Sequence, residues 1–243
     1  MENAVEIKNV TKSYRVFDKE YEVLKWLISK RNIGHKKLVL DDISFKVKHG
    51  ENIGIIGKNA SGKSTIMKLL AQITFPDSGE IVTRGRVTAF INLGAGFNVE
   101  LTGRENIYYK AQLMGVEKKH VNELMPQIEK LADIGEYMDI PMKKFSSGMR
   151  ARLGFALAIN LDPDIILLDE VLAVGDKKFK KISSEKIQEL FSTGKTIFFS
   201  SHEDDLIRQF CTRVIYIRNG KIVYDGDVEE GLKRYNDQEV YDE

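Results

Sequence analysis

Three observations predict an α/β fold built on a mainly parallel sheet. The first is the loop Gly57-Lys58-Asn59-Ala60-Ser61-Gly62-Lys63-Ser64-Thr65. The buried-strand pattern Ile53-Gly54-Ile55-Ile56 enters it, and a helical pattern from Thr65 to Gln72 leaves it. The second is a wholly apolar run, Ile165 to Leu168, and a second strand pattern, Thr196 to Phe199, with a helical stretch from Phe179 to Phe191 between them. Strands that alternate with helices pair in parallel. The third is Asn219-Gly220, the strongest short hairpin signal, between Val214–Ile217 and Lys221–Tyr224.

The bulk numbers narrow the classes. A chain of 243 residues, 42% hydrophobic and 30% charged, can bury a core in one domain or two closely packed subdomains. The net charge of +1 gives no overall field to recruit nucleic acid. Cys211 stands alone, so neither an intrachain disulfide nor a thiolate metal site is expected, only a buried, inert thiol. No apolar run approaches the roughly 18 residues that read as a membrane span. Met1 to Glu6 lacks a basic-then-apolar signal pattern. The expectation is a chain soluble by itself and most simply cytosolic; if it works at a membrane, a partner must hold it there. No repeat, low-complexity stretch or Pro/Ser-rich linker interrupts it.

The remaining elements follow in order. Ala4 to Val10 alternates like a strand, and Thr11 to Val16 continues it or starts a second. Over residues 18–37, Tyr21, Leu24, Leu27 and Ile28 recur at helical spacing among Lys19, Lys25, Lys30, Arg31, Lys36 and Lys37. That reads as a basic amphipathic helix and a loop, either a solvated cover for the sheet or a contact for a partner or membrane surface. Leu38–Leu40 and Ile43–Val47 read as strands around Asp41-Asp42. Pro76-Asp77-Ser78-Gly79 is a turn. Glu80–Val82 and Arg86–Ile91 read as a hairpin through Arg84-Gly85. Residues 104–139 are mostly helical, with Gly115 and Gly135 as candidate stops. Glu229 to Tyr235 is helical and polar.

The loop from Gly57 to Thr65 fits G-x-x-x-x-G-K-[ST], the phosphate-binding P-loop. Gly57 and Gly62 allow a tight bend, so the N–H groups of the loop point into one concavity at a helix N-terminus, where the dipole favours anions. Lys63 reaches β- and γ-phosphates, and the Ser64 hydroxyl is placed to ligate Mg²⁺. Asp169-Glu170 follows the apolar strand Ile165–Leu168. Ligands of open α/β sheets sit at the carboxyl ends of strands, so Asp169 is placed to hold Mg²⁺ through water. Glu170 is placed to orient or deprotonate an attacking water.

Two further stretches carry a resemblance. Phe145-Ser146-Ser147-Gly148-Met149-Arg150 leads into an apolar helix, Leu153 to Leu161, and Ser200-Ser201-His202 ends the Thr196–Phe199 strand. Together with the P-loop, these resemble the ATP-binding-cassette (ABC) ATPases over nearly the whole chain. Phe145 to Met149 is similar to the family's signature, usually written LSGGQ. Ala173-Val174-Gly175-Asp176 is similar to the loop after the catalytic glutamate, and His202 to the switch histidine. The resemblance implies ATP and Mg²⁺ as cofactors. It implies Glu170, His202 and Lys63 as the catalytic set. Gly57, Asn59, Ala60, Ser61, Gly62, Lys63, Ser64 and Thr65 would cradle the nucleotide. Ser146, Ser147 and Gly148 would serve the γ-phosphate of ATP held by a second copy. Tyr14 lies where the family carries an aromatic that stacks on adenine; otherwise it is a strand residue packed on the subdomain core. Asn92 lies nearest to the family's usual Gln. Its shorter amide leaves direct Mg²⁺ ligation open, with a bridging water as the substitute.

The runs Asn92–Phe97, Glu100–Asn106, Lys144–Arg150 and Asp169–Asp176 resemble the branch that exports O-antigen, capsular polysaccharide and wall teichoic acid, as does the extra segment 18–37. The resemblance implies a homodimeric ATPase, peripheral on the cytoplasmic face of the bacterial inner membrane, under an integral-membrane permease present in two copies. The lipid-linked glycan would be contacted mainly by the permease, and nucleic acid by neither. The alternative is the ATPase of a drug, peptide or lipid exporter, or less favourably a soluble ABC protein. The implied layout is a single ABC ATPase domain, with an antiparallel β-subdomain and P-loop core over 1–92 and a helical subdomain over 93–145. The rest of the core covers 146–226, and a C-terminal helix covers 227–243.

Overall fold

The computed structural model describes residues 2–17, 34–90, 93, 96–169 and 176–241. Asn92, Glu170 and the basic helix expected after residue 17 lie outside the described residues.

Two sheets organise the chain. The smaller is antiparallel, in the order β2-β1-β4, from β1 (Asn3–Val16), β2 (His35–Lys48) and β4 (Ser78–Thr83). The larger has the order β5-β6-β7-β3-β8-β9. It comprises β3 (Asn52–Ile56), β5 (Val87–Ala89), β6 (Ile165–Leu168), β7 (Thr196–Phe199), β8 (Arg213–Arg218) and β9 (Lys221–Gly226). All its pairings are parallel except β8–β9, the hairpin closed by Asn219-Gly220.

The apolar strands are apolar because both faces of this sheet are covered. Side chains alternate: Ile165 and Leu167 join the core on one face, Ile166 and Leu168 the core on the other. The first core also holds the inner face of the small sheet (Ile7, Ile43, Phe45) and α1 (Lys63–Leu70), through Ile66, Met67 and Leu70. The second is covered by α4 (Ser147–Asn160), α5 (Lys177–Phe191), α6 (Asp204–Phe210) and α7 (Val228–Tyr241). Each fully buried Ile, Leu or Phe contributes about 1.5–3 kcal/mol, so these two layers dominate the stability. Cys211 lies in the second layer, where burial pushes its thiol up to about 12.

A third core is wholly helical. It unites α2 (Gly103–Leu113), α3 (Lys118–Ala132) and two 3₁₀ turns (Gly135–Asp139, Met142–Lys144) with Leu153, Ala156 and Leu157 of α4. Thr102 and Glu105 form a capping box at the start of α2. Among the described residues no helix is long and apolar enough to cross a membrane.

The structure departs from several sequence expectations. The hairpin expected through Arg84-Gly85 is absent: β4 pairs with β1 in the small sheet and β5 with β6 in the large one. Arg84 stays with the small sheet, donating to the Asn3 carbonyl and to Glu6. Gly85 has φ +116, and a Cβ there would lie 2.7 Å from that of Asp164. The Asp164 carboxylate takes the Arg86 N–H at 2.8 Å, so the chain is redirected between sheets rather than folded back. Asp41-Asp42 does not split β2. Asp42 takes φ +52 opposite Asn9 at φ +50, and the Asn9 amide donates to Asp42 at 3.0 Å, which makes a bulge in a continuous strand. Lys36 and Lys37 belong to β2, opposite Arg15 and Tyr14. The helix before Gly135 stops earlier, at Asp133 with φ +49. The C-terminal helix is not polar all round: Val228, Leu232 and Tyr235 pack on the second core.

Candidate functional site

The order of the large sheet assembles the site. β7 lies between β6 and β3, so the carboxyl ends of these three parallel strands are neighbours. The P-loop leaves β3, Asp169 follows β6, and Ser200 to His202 follow β7. They converge as the strand order requires.

The P-loop bends through Gly57 at φ +147, Ala60 at φ +63 and Gly62 at φ +119. A Cβ on Gly57 would lie 2.3 Å from the Ile217 carbonyl oxygen, and one on Gly62 2.6 Å from Leu40 Cδ2. Only glycine fits this approach of loop to sheet. Lys63 opens α1 and is 8% exposed. Its ammonium donates to the Gly57 carbonyl and, at 3.1 Å, to the Lys58 carbonyl. A buried cation thus sits inside a ring of loop backbone. Ser61 Oγ is buried with no hydrogen-bond partner among the described residues. The Ser61 carbonyl accepts from the Gly220 N–H at 3.1 Å, which pins the loop to the β8–β9 turn.

A cleft of about 300 Å³ lies over the loop. Asn59, Ala60, Ser61, Gly62, Lys63, Ser64 and Thr65 line it, together with Tyr14, Asp169 and His202. Ser64 and His202 are exposed and Asp169 is half-buried. Gly57 stands at the back, where its carbonyl holds Lys63. Lys37, Val39, Lys58 and Ser200 also line the cleft, and the sequence reading did not single them out as site residues. Lys58 was visible inside the motif, and Ser200 beside His202. Lys37 and Val39 depend on the β1–β2 register, which local patterning does not give.

Ser146, Ser147 and Gly148 are not in this cleft. Ser146 caps α4, accepting the Met149 N–H at 3.2 Å, and both serines are exposed. As an acceptor here, the Ser146 hydroxyl still has its own proton to donate. The helix N-terminus and the exposed serines make a second anion-favouring surface, apart from the first. A larger cleft of about 610 Å³ lies between α3, α4 and α5, and none of the phosphate-loop residues lines it.

A P-loop at the carboxyl end of a central parallel strand, facing an aspartate and a histidine from the next two strands, defines a P-loop nucleotide-binding protein. The chain belongs to the ABC transporter family, whose sequence profile matches residues 40–173. It is 40% identical over 247 residues to the teichoic acids export ATP-binding protein TagH of Bacillus anthracis, covering 99% of this chain and 45% of that one. It is 41% identical over 235 residues to the protein of the same name from Staphylococcus haemolyticus, covering 97% and 89%. The chain thus spans under half the length of the Bacillus relatives. Among solved structures, it is similar to an ATP-binding subunit of an ABC transporter (TM-score 0.72, 20% identity, 96% and 93% covered). It is also similar to a dimeric ATP-binding cassette in a post-hydrolysis state bound to ADP and Pi (TM-score 0.68, 21% identity, 92% and 98% covered). These two likenesses bear on the fold, an ABC ATPase core with an antiparallel sheet and a helical part.

Proposed function

We propose that this chain is the ATP-hydrolysing subunit of an exporter that moves a lipid-linked polysaccharide or teichoic acid across the cytoplasmic membrane. The observation that carries the ATPase reading is the convergence of Lys63, Ser64, Asp169 and His202 on one cleft at the P-loop. The teichoic acids export proteins at 40–41% identity support the substrate class.

In this reading the P-loop N–H groups and Lys63 hold the β- and γ-phosphates, and Tyr14 stacks on adenine. Ser64 and Asp169 are hard oxygen donors on one cleft, which suits Mg²⁺, a cation that takes few protein ligands and keeps water and phosphate oxygens. Bound there, Mg²⁺ would neutralise charge that develops on the phosphates. Glu170 orients or deprotonates the attacking water, and His202 donates to the γ-phosphate. Ser146, Ser147 and Gly148 serve the nucleotide of a second copy, which agrees with their position outside the chain's own cleft. Two copies close on two Mg-ATP and open after hydrolysis, moving an integral-membrane permease, itself in two copies. The permease contact is assigned to residues 92–110 and the basic segment 18–37. Val99 and Tyr109, each 43% exposed, offer it apolar surface. The ATPase then sits on the cytoplasmic face of the membrane, with Asn92 relaying nucleotide state more than binding metal.

The test is co-purification with the permease, reconstitution in vesicles, and assay of ATP turnover with and without the lipid-linked glycan. Turnover stimulated by the glycan, and by no drug or peptide, is the expected result. Turnover stimulated only by an unrelated substrate would overturn the substrate class and leave the ATPase intact.

A further inference from the structure

Asp77 sits in the turn between α1 and β4, 63 residues beyond Tyr14 in sequence. Its carboxylate nevertheless closes on β1 beside Tyr14. Oδ2 accepts the Ser13 N–H at 2.7 Å, and Oδ1 accepts from Lys12 Nζ at 3.2 Å. The Asp77 N–H donates to the Thr11 carbonyl at 2.9 Å. The Lys12 ammonium in turn lies over the Tyr14 ring, 5.3 Å from its centroid, on a side chain only 13% exposed.

The backbone explains why a side chain is needed there. The β1–β2 register shifts between Val10 and Lys12 and again between Lys12 and Ser13. The β1–β4 pairing ends at Thr11 opposite Ser78. Past that point no strand among the described residues pairs with β1 on its β4 side, and Asp77 takes the Ser13 N–H in place of one. Bulges bend a strand and re-aim its side chains. Regular pairing resumes at Ser13 opposite Leu38, and Tyr14, opposite Lys37, faces the nucleotide cleft. Partial burial pushes the Asp77 carboxyl up, but the hydrogen bonds from Ser13 and Lys12 and the Lys12 charge outweigh it and hold it below the usual carboxylate range.

We propose that Asp77, with Lys12, is a positioning residue for the base end of the nucleotide. Asp77 pins the bulged end of β1, and Lys12 occupies one face of Tyr14, which leaves the opposite face for adenine. A cation over one face of an aromatic ring also fixes the ring's orientation. The inference rests on the reading that Tyr14 takes the base. It deepens that reading by assigning the group that aims Tyr14, and it concerns ligands with a base alone. Inorganic tripolyphosphate, which engages the P-loop and has no base, should be indifferent to it.

The experiment is calorimetric titration of the folded chain with Mg-ATP and with Mg-tripolyphosphate. Asp77→Ala and Lys12→Met are expected to weaken Mg-ATP by about three- to tenfold, the scale of an aromatic stack, and to leave Mg-tripolyphosphate unchanged. In a Tyr14→Ala background, Asp77→Ala should cost Mg-ATP nothing further, because it acts through the ring. Asp77→Asn, which keeps shape and loses charge, serves if Asp77→Ala does not fold. Equal loss for both ligands, or additive loss in the double variant, overturns the inference and makes Asp77 merely structural. Weakened Mg-ATP in Tyr14→Ala with none in Asp77→Ala overturns it alone. Unchanged Mg-ATP affinity in Tyr14→Ala removes the base reading and this inference with it.

Discussion

Arg152 donates through Nη2 to the Asp176 carboxylate at 2.5 Å, and its guanidinium lies 4.9 Å from the Phe179 ring centroid. The pair joins α4, which opens at Ser146, to α5, which Asp176 caps by accepting the Phe179 N–H at 2.9 Å. Arg152 also donates to the Asp133 carbonyl at the end of α3, at 3.3 Å. Three helices therefore meet on one guanidinium.

This joint predicts a pH dependence. The Phe179 N–H lowers the Asp176 carboxyl most. Burial opposes it, and the Arg152 charge and hydrogen bond lower it further. A carboxylate whose folded pKa is depressed adds stability above its unfolded pKa and loses it as pH falls through the folded value. Asp176→Asn should therefore lower the Tm at neutral pH. The gap from wild type should close as the pH falls below about 4, the unperturbed aspartate value. Thermal unfolding across that range checks it, and a gap constant with pH would show that the charge is idle.

Gly154 predicts a reversed sign. Replacing a mid-helix glycine by alanine ordinarily stabilises by about 0.5–1 kcal/mol. On α4, however, a Cβ at Gly154 would lie 1.9 Å from the Leu93 carbonyl oxygen. Gly154→Ala should destabilise by about 1–3 kcal/mol, the cost of overpacking. Urea unfolding measures it, and a stabilised variant would mean that Leu93 moves away freely.

Lys63 predicts loss of ligand linkage. ATP at about a hundred times its Kd should stabilise the wild type by about 2.7 kcal/mol. Lys63→Met removes the buried ammonium that the loop encircles. Its melting temperature should respond little to the same ATP concentration. An undiminished shift would place nucleotide binding elsewhere on the chain.

Much of the site was legible because its signals are local. The P-loop, the apolar run before Asp169 and the Asn219-Gly220 hairpin each announce themselves within one short stretch of sequence. What stayed hidden depends on pairing between distant segments. Glu80–Val82 and Arg86–Ile91 look like one hairpin because Arg84-Gly85 mimics a turn, yet Asp164, 79 residues beyond Gly85, diverts the chain. Lys37 reaches the cleft only through its pairing with Tyr14. The apolar stripe Val228, Leu232, Tyr235 is thin enough to read as polar until β8 is seen beneath it, where Tyr235 meets Tyr216 edge-to-face.

In the proposed dimer the site is shared: ATP is held by Lys63 and Asp169 of one copy and met by Ser146 of another. Glu170→Gln is the variant to use, since it keeps the shape of the proposed base and removes its basicity. Loss of a base typically costs about 10²–10⁴-fold in rate while substrate still binds. The measurement is light scattering of Glu170→Gln, beside the permease, with Mg-ATP and with Mg-ADP. Turnover should fall by about that factor, and a closed dimer should form with Mg-ATP and come apart with Mg-ADP. ATP bound with no closed dimer, or a dimer indifferent to which nucleotide is present, would contradict it.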